Sequence, residues 1–143
     1  VFQKHPWFGD IPITGVPLTP SNLLMIDWML RVMKDFPLND FEKMSFVLLV
    51  SSYSRSVGLI SRDMASAIRA GIDPEAFSGF SYGDALRQLV SPERFPSLHP
   101  LIQSGTYTEE VENPISNDLE FGLERILDGI EHYVNDKKRL SQQ

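Results

Sequence analysis

The amino-acid sequence predicts an all-α helical bundle that forms a single domain over residues 1–143. Two long segments carry apolar residues at alternating spacings of four and three, which is the period of a helix seam. Three segments begin with a residue that can cap a helix, and prolines or glycines mark where helices end. With 143 residues, of which 42% are hydrophobic, the chain is long enough to bury a core of its own.

The first predicted helix begins at Thr19, which can cap it, and Pro20 suits its first turn. We expect it to run to about residue 36 and to stop before Pro37. It is apolar on nearly every side except for one narrow stripe, where Asp27 is expected to pair with Arg31. Such a helix is largely enclosed by other elements.

The second predicted helix begins at Asn39, where Glu42 completes a capping box, and ends near Gly71. Its seam consists of Phe46, Val50, Tyr53, Val57, Ile60, Met64 and Ala67. A basic stripe runs beside this seam at intervals of seven residues, at Arg55, Arg62 and Arg69. The pattern predicts a helix that packs against at least one further long helix.

Residues 71–115 are broken by prolines and glycines, with Pro96, Pro100 and Gly105 as the last breaks. We expect a short helix over 82–90 and a further short piece capped by Ser91. Residues 106–117 are acidic and polar, with Glu109, Glu110 and Glu112, and are interpreted as a mobile loop.

The last predicted helix starts near Asn117, with Glu120 as its capping-box partner, and runs to about Asp136. Its seam consists of Leu119, Leu123, Ile126, Ile130 and Tyr133, beside an acidic stripe of Glu120, Glu124, Asp128 and Glu131. Gly122 and Gly129 lie on one face, where the lack of side chains lets another helix approach closely.

Composition and motifs exclude several classes of function. The net charge of −6 disfavours broad contact with nucleic acid or anionic lipid, and the absence of cysteine excludes thiol nucleophiles and zinc ribbons. The three histidines are not paired at helical metal-site spacing, and no phosphate-binding or serine-hydrolase motif occurs, so no metal, cofactor or enzymatic activity is expected. A small hydrolase using Asp27 or Glu93 stays open as an alternative without a motif to support it. No apolar run approaches the roughly 20 residues of a membrane span.

Flexible methionines and broad aromatic residues predict an apolar ligand pocket, because such side chains fill space adaptably. Its expected borders are Trp7, Met25, Trp28, Met29, Leu49 and Tyr53. The Tyr53 hydroxyl would orient the polar end of the ligand. A well-filled core is the alternative reading of the same residues.

Three strings of sequence resemble the C-terminal regulatory domain of TetR/AcrR-type transcription repressors. They are His5-Pro6-Trp7-Phe8 leading into residues 13–20, the segment from Glu42 to Arg55, and the segment from Glu120 to Ile130. The resemblance implies an all-α domain of a cytoplasmic bacterial repressor that binds a small, mainly apolar effector and dimerises. In that family a helix-turn-helix domain comes first. This chain has no room for one before His5, so DNA binding would belong to a missing N-terminal part, and no membrane partner is implied.

The family's architecture implies that the two long helices of each subunit form a four-helix dimer bundle. Opposite-sign stripes beside apolar seams favour the same pairing. The expected dimer interface comprises Val57, Gly122, Ile126, Gly129, Ile130 and Tyr133. Two alternatives stay open. In one, the last helix only covers the second within one chain; in the other, the protein is a monomeric helical interaction module without a ligand.

Overall fold

The computed structural model describes residues 4–11, 19–76, 79–115 and 117–141. The described chain is helical and contains no strand in these ranges, which confirms the all-α prediction. Its elements are a 3₁₀ turn (Pro6–Asp10), α1 (Pro20–Val32), α2 (Asp40–Arg69), a 3₁₀ turn (Pro74–Ala76), α3 (Phe80–Leu89), α4 (His99–Gln103) and α5 (Asp118–Leu140). Residues 12–18, part of the first family-like string, lie outside the described residues.

Three helix starts are capped as the sequence predicts. The Thr19 hydroxyl oxygen accepts the Asn22 N–H at 3.3 Å. At the start of α2 the capping box is complete: the Asn39 N–H donates to Glu42 at 2.8 Å, and the Glu42 N–H donates to Asn39 at 2.9 Å. Asn117 accepts the Glu120 N–H at 3.2 Å at the start of α5. These bonds satisfy N–H groups that have no partner within the helix.

Helix ends depart from the predicted ones. α1 ends at Val32, four residues early, because the chain before Pro37 tightens into three-residue turns such as Phe36 N–H to the Met33 carbonyl. α2 ends at Arg69 with Gly71 at a φ of 91°, and the Ile72 N–H bonds back to Ala67. This is the glycine-terminated hydrogen-bond pattern expected at a helix end. α5 continues to Leu140, since its last turn holds three cations that suit a helix C-terminus.

The chain divides into two compact units, Val1–Arg62 with Asn117–Gln143, and Asp63–Ser116. The buried core of the first unit consists of Met33 and Leu38 from the segment after α1, Val47 from α2 and Val134 from α5. Ile26, Met29 and Leu30 of α1 pack against it. In the second unit the buried residues include Val90, Ile102 and Thr108. The single domain predicted from chain length stays a prediction.

The second unit corrects two expectations. α4 begins at His99, so Pro100 stands in its first turn, where proline is favoured. The proline that was predicted to interrupt a helix therefore lies at the start of one. The first part of the acidic segment is not a free loop: Thr108 is buried and the Glu110 side chain is 6% exposed. Glu110 bonds to Arg87 at 2.7 Å and accepts the Thr108 hydroxyl at 2.6 Å. It lies over Gly83 and Gly105, where any side chain would collide with it.

Candidate functional site

An open groove of about 490 Å³ lies between the end of α1, the first half of α2 and the second half of α5. Its lining is predominantly apolar. The residues are Met29, Val32, Met33, Phe36, Phe46, Val50, Leu127, Ile130, Glu131, Val134, Asn135 and Lys138. This volume falls within the range of roughly 300–1,000 Å³ that small-molecule sites occupy.

Polar groups stand along one rim of the groove, on successive turns of α5. They are Glu131, Asn135 and Lys138. The Lys138 ammonium lies 5.9 Å from the centre of the Phe36 ring, a cation–π distance. Within the described ranges no carboxylate lies within ion-pair distance of Lys138. A charge therefore stands at the groove without a charged partner from the described chain.

A polar cluster fastens α5 to α2 beside the groove. One oxygen of Glu42 accepts the Tyr133 hydroxyl at 2.6 Å and the Lys137 ammonium at 2.7 Å, while the other takes part in the capping box at Asn39. The Lys137 ammonium, the Tyr133 hydroxyl and the Asn39 N–H hold the pKa of Glu42 at about 2. The same bonds raise the pKa of Tyr133 and of Lys137.

An aromatic pair joins this cluster to the groove. The Phe46 and Tyr133 rings meet edge to face with centroids 5.7 Å apart. Phe46 lines the groove on one side, and on the other it borders a hollow of about 330 Å³ that is also lined by Asn39, Phe41, Glu42, Ser45 and Tyr133. This aromatic contact thus lies between the groove and the smaller hollow.

One of the six residues predicted to bind a ligand, Met29, lines the groove. Trp7, Met25, Trp28 and Leu49 are exposed, with Trp28 at 58%. Tyr53 is half-buried, and its hydroxyl donates to the Asp118 carbonyl oxygen at 2.7 Å. Its proton is therefore used within the chain, and the structure brings Met29 together with residues of α5 that the sequence analysis assigned elsewhere. Binding of a ligand by the other five stays a prediction.

The six residues predicted to form the dimer interface occupy different environments. They are Val57, Gly122, Ile126, Gly129, Ile130 and Tyr133. Val57, Ile126 and Ile130 are half-buried, and Ile130 packs against the core. Gly122 lies under the Tyr53 ring of the same chain, so its close approach is used within the chain. Gly129 has nothing within 4 Å of where a Cβ would stand. Whether these residues meet a second copy stays a prediction.

Two arginines of the basic stripe on α2 bond to the N-terminal segment of the same chain. Arg55 donates to the carbonyl oxygens of Gly9 and Ile11 at 3.2 and 3.1 Å, and Arg62 pairs with Asp10 at 2.9 Å. These two arginines therefore fasten the N-terminal 3₁₀ turn to α2. Whether the basic stripe matches the acidic stripe of α5 in a dimer stays a prediction.

An exposed stripe on α2 was not recognised from the sequence. Its members recur at spacings of four, four, three, four and four, which places them on one face. They are Phe41, Ser45, Leu49, Ser52, Ser56 and Ile60, and all are exposed, Phe41 by 87%. The α2 stripe, as we call this set, shares the smaller hollow with Tyr133 of α5. A periodic search that admitted serine beside apolar residues would have found it.

The groups considered for metal binding or catalysis give no site in the described ranges. No cluster of three metal-ligating side chains occurs there. Asp27 pairs with Arg31 at 2.9 Å on an exposed surface, as predicted. Its own backbone N–H and Ser91 lower the pKa of Glu93, the opposite of what a general acid needs. The sequence analysis overlooked Asp136, four residues after His132 and 3.4 Å from its ring.

The length and composition of α2 correct the expectation that no segment could span a membrane. Between Lys43 and Arg62 its only charged residue is Arg55, and by length and hydropathy this helix could cross a bilayer. Core helices of soluble proteins and signal sequences share this length and hydropathy. Arg55 is moreover bonded to the N-terminal turn, as described above.

Comparison with known proteins identifies the family. The family model described as tetracyclin repressor-like, C-terminal domain, matches residues 1–134. The HTH-type transcriptional repressor DrrR1 of Streptomyces coeruleorubidus is 24% identical over 147 aligned residues, which cover 96% of this chain and 49% of that protein. The chain thus spans about half the length of this curated relative. No solved structure gives a significant match. Since the family model covers nearly the whole chain, this protein belongs to the family of tetracycline repressor-like C-terminal domains, which are regulatory domains and not enzymes.

Proposed function

We propose that the chain is the ligand-sensing and dimerising domain of a TetR-like transcription repressor. The observation that carries the proposal is the exposed apolar surface of the long helices. Phe41, Leu49 and Ile60 stand on the α2 stripe, and serines between them leave room for a second helix. Leu48, next to the stripe, is 67% exposed, and large exposed apolar side chains grouped on one side of a helix are typical of an interaction site. A second copy of the chain would bury it in an isologous interface.

The α5 side of the proposed interface is formed by Gly129 and Tyr133. Both are exposed and four residues apart, so they lie on one face of α5. The open space at Gly129 would let a partner helix approach closely. Val57, Ile126 and Ile130 are half-buried and Gly122 lies under the Tyr53 ring, so we centre the proposed interface on the exposed α2 stripe.

DNA binding is proposed for another part of the protein that carries this domain. The chain has 13 basic against 19 acidic residues, and Arg55 and Arg62 are bound to its own N-terminal turn. Few phosphates could be neutralised by such a surface. The relative named above is a helix-turn-helix repressor of which the chain matches about half. A bacterial, cytoplasmic setting and control of DNA binding by a small apolar effector follow from that proposal.

Two half-exposed leucines provide a matched test of the dimer. Leu49→Glu changes the α2 stripe, whereas Leu24→Glu makes the same change on α1, outside it. We expect light scattering coupled to size exclusion to give a dimer for the unmodified chain and for Leu24→Glu. Leu49→Glu should raise the dimer dissociation constant by tenfold or more, because a carboxylate would be buried without a partner.

The competing function is a monomeric helical interaction module. A single species of monomer mass at all concentrations up to tens of micromolar would favour that alternative. An equal loss of dimer in the two variants would move the interface away from the α2 stripe. Circular dichroism of both variants shows whether the helices stay intact.

A further inference from the structure

The geometry of the groove points to a ligand class: an amphipathic anion with an apolar body and a single acidic group at one end. This inference rests on the proposed function, since it names the chemistry of the effector. It places the effector between α1, α2 and α5. Met29, one of the six residues predicted from sequence to bind a ligand, lies there.

The groove runs along α5. From Leu127 to Lys138 the helix advances eleven residues, about 16 Å at 1.5 Å per residue. Met29, Val50 and Ile130 contribute apolar side chains to its lining. A flexible or flat apolar body of medium length would cover these side chains and remove them from water, and methionine adapts to either shape.

The polar end of the groove is built to donate hydrogen bonds. Asn135 and Lys138 stand one turn apart on α5, and the Lys138 ammonium rests over the Phe36 ring of the lining. An ammonium and an amide N–H are both donors. A carboxylate placed there would give Lys138 the charged partner that the described residues do not provide.

Glu131 restricts the ligand to one acidic group, and Lys138 argues against a cationic head group. Glu131 lies one turn before Asn135 on α5, beside the body of the ligand and not at its end. A second anionic group along the body would meet this carboxylate and be repelled. A cationic head group beside Asn135 and Lys138 would be repelled by the Lys138 ammonium.

The groove is separate from the surface proposed for a second copy of the chain. No residue of the α2 stripe lines it, and neither Gly129 nor Tyr133 does. The Phe46–Tyr133 contact stands between the two surfaces. Ligand and partner could therefore be bound at the same time.

Three probes with a ten-carbon chain test the head group: decanoate, 1-decanol and decyltrimethylammonium, the two ions below their micelle concentrations and the alcohol below its solubility limit. Isothermal titration calorimetry on the whole chain measures their dissociation constants. We expect decanoate to bind about five- to tenfold more tightly than decanol, because it adds a charge-assisted hydrogen bond. Decyltrimethylammonium should bind most weakly.

Three variants locate the site. Lys138→Gln should remove the preference for decanoate and change decanol affinity by less than twofold. Arg139→Gln is the matched control, because it removes a neighbouring charge that is paired with Asp136 at 2.8 Å and does not line the groove. Val32→Trp fills the groove from a position that is 75% exposed, so the fold should tolerate it, and binding of all three probes should be lost.

Tightest binding of decyltrimethylammonium, or equal affinity for all three probes, would overturn the assignment of an anionic head group. Unchanged binding in Val32→Trp would place the site elsewhere. If no probe binds and Val32→Trp dissociates a dimer, the groove is an interface between copies and the inference is wrong. A chain that dimerises through the α2 stripe yet binds no probe would refute the inference alone. A monomer that binds decanoate as described would refute the proposed dimer and leave the inference standing.

Discussion

Each unit of the chain is fastened by one glutamate, and the two glutamates are used differently. Glu110 in the second unit is almost fully covered and fills the space that Gly83 and Gly105 leave free. Glu42 in the first unit also accepts bonds from two side chains, yet it borders an open hollow of about 330 Å³. The same hydrogen bonds to a carboxylate thus stand in a packed interior in the second unit and beside an open hollow in the first. A binding site is expected in the first unit, because space next to its packed core is left for a ligand.

The largest expected effect tests whether the interior of the second unit is more tightly packed than the groove of the first. Ile102 is 0% exposed, so Ile102→Ala should leave a cavity and lower the free energy of unfolding by about 2–5 kcal/mol. Ile130→Ala makes the same change at the groove, where part of the side chain already faces empty space, and should cost about 2 kcal/mol or less. Urea unfolding of both variants measures the difference.

Equal losses in the two isoleucine variants would mean that the groove is filled in solution, by the chain itself or by a partner. A smaller loss for Ile102→Ala than for Ile130→Ala would contradict the comparison outright. The dimer concentration has to be the same in both measurements, because association adds to apparent stability.

The next effect concerns pH. The folded-state pKa of Glu42 is held at about 2, below the value of roughly 4.3 that glutamate has in an unfolded chain. Its stabilising contribution is therefore present above about pH 4.3 and is lost as the pH falls towards 2. Arg87 and Thr108 lower the pKa of Glu110 in the same direction. Both clusters should thus weaken in acid.

Melting temperatures of the unmodified chain and of Glu42→Gln, recorded from pH 7 to pH 2.5, check this effect. We expect the variant to melt lower at pH 7 and to lose less on acidification, so the two curves converge. Glu131→Gln serves as the control, because Glu131 has no hydrogen-bond donor from the described residues and its curve should run parallel to that of the unmodified chain. Parallel curves for Glu42→Gln would show that the cluster does not form in solution.

Local signals in the sequence were sufficient for the helix starts and insufficient for the site. Thr19, Asn39 and Asn117 each cap a helix through residues three positions away, so a short window contains the whole interaction. The bonds from Glu42 to Tyr133 and Lys137 join positions more than 90 residues apart, and no spacing rule encodes them. The groove depends on such long-range contacts. α4 was missed because proline was interpreted as a break when it stood in a first turn.

The two glycines of α5 illustrate the same limit and give the smallest expected effect. They are seven residues apart and were predicted to serve one interface, but Gly122 lies under Tyr53 whereas Gly129 faces open space. Gly122→Ala should displace the Tyr53 ring, weaken its bond to Asp118 and cost about 1–3 kcal/mol. Gly129→Ala should stabilise the monomer by about 1 kcal/mol, because alanine favours the helix and meets no neighbour. Both are best measured by urea unfolding in the Leu49→Glu background, where dimerisation does not contribute.

In the otherwise unmodified chain, Gly129→Ala should weaken the dimer, since the added methyl group would enter the proposed interface. Opposite signs for monomer stability and dimer affinity at this one position would separate a free helix face from an interface. A stabilised dimer would instead show that no partner helix approaches Gly129.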